Sequence, residues 1–128
     1  MKKFLNGKML LALTCLLLSL TGCQKAPATP SADDFTLAET TRPAEPQLAA
    51  KYERSCHTCH AVAGSAAPLA GFVPQWEKPK QQAMATLVTH VRDGYNAMPA
   101  RGFCNDCSDD DYAKLIAFMS APLRKNGS

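Results

Sequence analysis

No stretch of this chain alternates apolar and polar residues over the length of a β-strand, so sheet architectures are excluded and an all-α class is expected. Nor does it contain an apolar run of the ~20 residues that a bilayer-spanning helix requires; the longest, from Met9 to Leu20, is about a dozen. Excess charge is missing too. Lysine and arginine number 14 against 11 acidic residues, and the surplus is Lys2, Lys3 and Lys8 at the N-terminus. The rest is balanced, which excludes a surface that binds nucleic acid by bulk positive charge. The length admits one domain. A domain of ~80 residues has a thin core and usually needs a staple.

Cysteine, by contrast, is plentiful, with six in the chain. The basic start, the short apolar run and a small-residue exit make residues 1–22 a secretory signal peptide that is cleaved. Leu20-Thr21-Gly22-Cys23 resembles the lipobox of bacterial lipoproteins, which makes Cys23 the expected lipidation site; an ordinary signal peptide ending near a cysteine is the alternative. Acyl chains at ~0.8 kcal/mol per buried methylene would anchor the protein to a membrane, facing the periplasm. Gln24, in place of the aspartate that resembles an inner-membrane retention signal, favours the outer membrane. Residues 23–47, with Pro27, Pro30, Pro43 and Pro46 and no apolar periodicity, read as a flexible Ala/Pro-rich tether. A short structured element around Phe35–Leu37 is compatible with that reading.

The folded domain is expected over residues 48–128. Three main helices are predicted: about 46–55, about 80–93, and one from Ser108. The second puts Met84, Leu87, Val88 and Val91 on one face and ends at Gly94. The third opens on a capping box, Ser108 with Asp111, and carries the stripe Tyr112, Leu115, Ile116 and Met119 up to Pro122.

Cys56-His57-Thr58-Cys59-His60 is C-x-x-C-H, the signature of c-type haem attachment. Two intervening residues let both sulfurs reach the vinyl groups on one edge of the porphyrin, and the next residue, His60, then lies under the iron. His57 occupies a variable position and is expected to point away from it. A thioredoxin-like dithiol would want a βαβ pattern, which is absent. A zinc site from Cys56, Cys59, Cys104 and Cys107 has plausible spacing, but the exported location and the histidine placed for iron weigh against it. One covalent haem would also be the staple that the domain needs.

For the sixth iron position the chain offers Met84, Met98, Met119 and His90. Met84 and Met119 sit on apolar helical stripes and His90 beside one, whereas Met98 lies in the glycine-bounded stretch Gly94–Gly102, which can cross the far face of the ring. His/Met ligation closes the iron and points to electron transfer rather than gas binding. A ligand sensor or peroxidase-like protein with a labile methionine is the competing reading. Cys104 and Cys107, in an oxidising compartment, are by default a disulfide; a catalytic dithiol is the sharper alternative.

From Leu48 to Met119 the chain resembles the cytochrome c5 family, class I cytochromes c. The resemblance is carried by the haem motif, Ala67-Pro68, Gly71, Trp76, Gly94-Tyr95-Asn96-Ala97-Met98-Pro99 and Arg101-Gly102-Phe103-Cys104-Asn105-Asp106-Cys107-Ser108-Asp109. It implies an all-α class I cytochrome c fold, a single haem c iron ligated by His60 and Met98, and a Cys104–Cys107 disulfide. It further implies a Pro68 carbonyl accepting the His60 ring N–H, and Trp76 near the propionates. The function implied is that of a non-enzymatic electron carrier between redox partner proteins. Leu48 stands where the family usually has glycine, and Pro79, between Lys78 and Lys80, where it tends to have arginine; a wider helix crossing and altered propionate pairing are the expected consequences.

Overall fold

The computed structural model describes residues 28–124. The signal segment 1–22 and Cys23 lie outside the described residues. Among the described residues six α-helices follow one another: α1 (Ala32–Thr40), α2 (Pro46–Arg54), α3 (His57–His60), α4 (Val73–Trp76), α5 (Met84–Asp93) and α6 (Asp109–Ser120). Short 3-10 turns occupy Pro79–Gln81 and Ala100–Phe103. No strand occurs among the described residues; a single antiparallel bridge pairs Tyr95 with Met98. The fold is the all-α arrangement of class I cytochromes c.

Each main helix starts for a local reason. Pro46 opens α2 at a position where its missing N–H costs nothing, and the Glu45 carboxylate accepts the next N–H groups, those of Gln47 and Leu48. Ser108 and Asp111 form the reciprocal capping box of α6, with Ser108 Oγ accepting from Asp111 N at 3.1 Å and Asp111 accepting from Ser108 N at 2.8 Å. The stripe Tyr112, Leu115, Ile116 and Met119 is buried. α5 begins later than its periodicity suggests. Pro79 opens a 3-10 turn, Gln82 then turns extended, and Ala83 is an N-cap without a side-chain bond. Leu87 and Val88 are buried along α5, while Met84 at its first turn is exposed.

Leu48 is buried in the common core with Tyr52, Leu115 and Met119. Lys51 reaches across to Asp111 at 2.7 Å and ties α2 to the start of α6; Arg92 pairs with Asp109 at 3.0 Å and ties the end of α5 to the same place. Just ahead of α6 in the chain, Cys104 and Cys107 form a disulfide, both buried. The Tyr112 hydroxyl donates to the Cys104 carbonyl at 2.9 Å beneath it.

The segment read as a tether contains a docked helix. Ser31 and Asp34 form a capping box at the start of α1, Ala38 is fully buried, and Phe35 packs against the core. Arg42 follows, pairing with Glu53 and lying over the Tyr52 ring. The proline-rich composition hid this because α1 is short and contributes only one face of few apolar residues to the core.

Candidate haem-binding site

Tyr52, Cys56 and the four residues of α3 form one continuous turn. The amide of Cys56 donates to Tyr52 O at 3.0 Å, and those of Cys59 and His60 donate to Cys56 O at 3.2 and 2.9 Å. That turn places two free thiols, the half-buried Cys56 and the exposed Cys59, directly ahead of His60. Burial, with a smaller contribution from Cys59, pushes the Cys56 thiol up to about 11. It is therefore protonated at neutral pH, unlike the thiolate of a redox dithiol. With Cys104 and Cys107 joined to each other, the four-cysteine zinc arrangement is not formed.

His60 is buried, and its ring is held from two sides. Nδ1–H donates to the Pro68 carbonyl at 2.8 Å, and the Trp76 indole stacks on it with centroids 5.7 Å apart. Burial lowers the pKa of the imidazole, with the Pro68 carbonyl opposing. The ring is thus neutral with its proton on Nδ1, which leaves the Nε2 lone pair for a metal. The Trp76 indole N–H donates to the Leu69 carbonyl at 2.8 Å. The donor expected near a propionate is therefore committed to the backbone, and the role the geometry gives Trp76 is as a wall for His60.

Met98 is half-buried in the loop after α5. Tyr95 and Met98 exchange backbone hydrogen bonds at 3.0 and 2.9 Å, making a tight turn, and Tyr95 stacks on His90 with centroids 4.0 Å apart. A Cβ on Gly102 would lie 3.3 Å from Met98 Cε, so glycine there leaves room for the thioether. Arg101 closes the loop by donating to the Asn105 and Cys107 carbonyls at 2.9 and 3.1 Å. Of the other candidates, Met119 is core, Met84 is exposed, and His90 is engaged by Tyr95.

His57 does have a partner. Its Nε2–H donates to the Glu39 carbonyl at 3.0 Å, joining α1 to the attachment turn, and its ring meets Tyr52 edge-on. Nothing in the motif signals this contact.

Two free thiols one turn before a neutral histidine with its Nε2 unengaged, in an all-α domain, are the donor set of covalent haem, and the residues fit that group. They define a c-type cytochrome of class I. A family model described as cytochrome c oxidase, cbb3-type, subunit III matches residues 43–119. Cytochrome c5 of Ectopseudomonas mendocina is 33% identical over 69 residues, 52% of this chain and 79% of that protein. Cytochrome c5 of Azotobacter vinelandii is 35% identical over 75 residues, 57% of this chain and 87% of that protein. Cytochrome c-555 of Chlorobaculum tepidum is 34% identical over 74 residues, covering 55% and 68%. The chain belongs to the cytochrome c5 family: a monohaem electron-transfer protein carrying one covalently bound haem c. α1 lies ahead of the residues that the family model matches.

Proposed function

We propose that this chain is a lipid-anchored, periplasm-facing carrier that shuttles single electrons between respiratory redox partners, with Cys56 and Cys59 holding the haem and His60 and Met98 as axial iron ligands. The haem supplies a one-electron couple. The chain's own residues orient and bury it, and the observation that carries the reading is the His60–Pro68 hydrogen bond of 2.8 Å, which fixes the tautomer needed for Nε2 ligation. Met98 is favoured as the second ligand because its loop is pinned at one end by its turn with Tyr95 and at the other by Arg101 and the disulfide. A closed iron is a carrier's iron rather than an enzyme's. The anchor rests on the lipobox around Cys23, and the preference for the outer membrane on Gln24. No described helix is long and apolar enough to cross a membrane.

Met98→Ala is expected to abolish the long-wavelength sulfur-to-iron band of the oxidised protein, whereas Met84→Ala keeps it. The reduced wild type is expected to show no spectral change under carbon monoxide. A carbon monoxide shift would instead establish a sensor or peroxidase-like protein with a labile methionine. Expressed with its own leader, the protein is expected to fractionate with outer membranes and Cys23→Ser to be released from them; equal release of the two would remove the anchor from the proposal.

A further inference from the structure

Two consecutive peptide groups connect α4 to His60. The Pro68–Leu69 peptide accepts His60 Nδ1–H through its carbonyl at 2.8 Å and donates its N–H to Gln75 Oε1 at 2.7 Å. The Leu69–Ala70 peptide donates its N–H to the His60 main-chain carbonyl at 2.7 Å and accepts the Trp76 indole N–H at 2.8 Å. Neighbouring residues of one short helix thus hold the far ends of two rigid planes, whose near ends hold the histidine's side chain and backbone.

We infer that Gln75 is a positioning residue for the proximal ligand, acting through the Pro68–Leu69 peptide to orient and polarise the carbonyl that accepts the His60 N–H; this rests on His60 being the axial ligand. Hydrogen bonds in series strengthen one another, by about 10–30% per bond. An acceptor on the Leu69 N–H therefore makes the Pro68 oxygen a better acceptor for Nδ1–H. A stronger bond there makes the imidazole more basic, which favours ferric over ferrous iron. The location adds a reason for Gln75 to matter. A shallow depression of about 420 Å³, lined by Ser65, Ala66, Ala67, Pro68 and Gln75, brings solvent to this side of the peptide. Without the glutamine, water would compete for both ends of it. Gln75 is itself solvent-exposed, so replacing it leaves the core intact.

The test compares Gln75→Met, of similar length without an acceptor, with Gln75→Glu, which keeps one. Proton NMR of the reduced haem protein reads the shift and exchange rate of the His60 Nδ1 proton; voltammetry reads the midpoint potential. Gln75→Met is expected to move that proton upfield, speed its exchange a few-fold and raise the potential. Gln75→Glu is expected to keep exchange as slow as wild type or slower and to lower the potential. Wild-type values for all three readings in Gln75→Met would overturn the inference. Changes of the same sign in both variants would also overturn it, because they would report lost packing rather than a lost acceptor. Failure of the ligand reading is distinguishable, since it would appear in the wild type as covalent haem without a haem-shifted His60 resonance.

Discussion

Gly94 shows how much of the site hangs on single backbone positions. Its φ of 89° and ψ of 151° lie where almost only glycine goes. A Cβ there would come within 3.1 Å of Ala100 N and 3.2 Å of Met98 O, both backbone atoms of the loop that carries the proposed ligand Met98. Gly94→Ala is therefore expected to cost about 1–3 kcal/mol of stability and to displace the loop. The check is a lower unfolding midpoint together with a weakened sulfur-to-iron band. The proposed haem residues stand out in the sequence because chemistry spaces them: two thiols must reach one porphyrin edge and the next histidine the iron, and Met98, the proposed second ligand, is glycine-bounded among methionines on helical stripes. Gln75 and His57 do not. Each acts through one hydrogen bond to a backbone atom distant in sequence, and neither spacing nor residue type foretells such a bond. Trp76 stands out through the family resemblance, which implies a place near the propionates, but its N–H is bound by the carbonyl of Leu69, a residue with no motif of its own.

Helix ends were easier to place than helix partners. The capping box of α6 was visible as Ser108 and Asp111, yet the same carboxylate also holds Lys51 from α2, a contact no local pattern contains. Lys51 first, then the Ser108 N–H, hold Asp111 down to about 2, below its ordinary value of 3.8. A depressed carboxylate stabilises the fold above its unfolded value and loses that contribution as it protonates. The wild type should therefore lose stability as pH falls from about 4 towards 2. Asp111→Ala is expected to cost about 1–2 kcal/mol at neutral pH and to show a shallower loss over that acid window, as followed by denaturant unfolding at pH 7 and pH 3. The helix that composition concealed, α1, did carry a signal in Ser31 and Asp34, the same box in weaker form. Removing residues up to Thr41 would take away the core contacts of Phe35 and Ala38 and the carbonyl that holds His57, at a cost of about 2–3 kcal/mol. Thermal unfolding of the haem-loaded truncated protein, compared with full length, measures it; an unchanged midpoint would mean that α1 adds nothing to the domain.

For the whole molecule, the docking of α1 changes what the proposed anchor can do. A tether over residues 23–47 would be free for about 24 residues, a contour of roughly 85 Å. With the chain fixed from Ser31 onward by its capping box and by the Glu39–His57 and Arg42–Glu53 contacts, only the seven residues 24–30, spanned by eight Cα–Cα steps, separate Cys23 from the folded domain. Even fully extended they span no more than about 29 Å. If Cys23 carries the proposed anchor, a carrier on so short a leash would exchange electrons with partners at its own membrane and not with partners across a gap. The near balance of charge supports this, because long-range electrostatic steering would add little to encounters set by the anchor. Lipidated protein in two vesicle populations, one reduced and one oxidised, is therefore expected to equilibrate slowly between vesicles, and a 20-residue Gly/Ser insertion after Gln24 to accelerate the exchange. Equal rates for the two proteins would mean that α1 does not stay docked at the membrane, since the domain would already reach as far as the inserted linker allows.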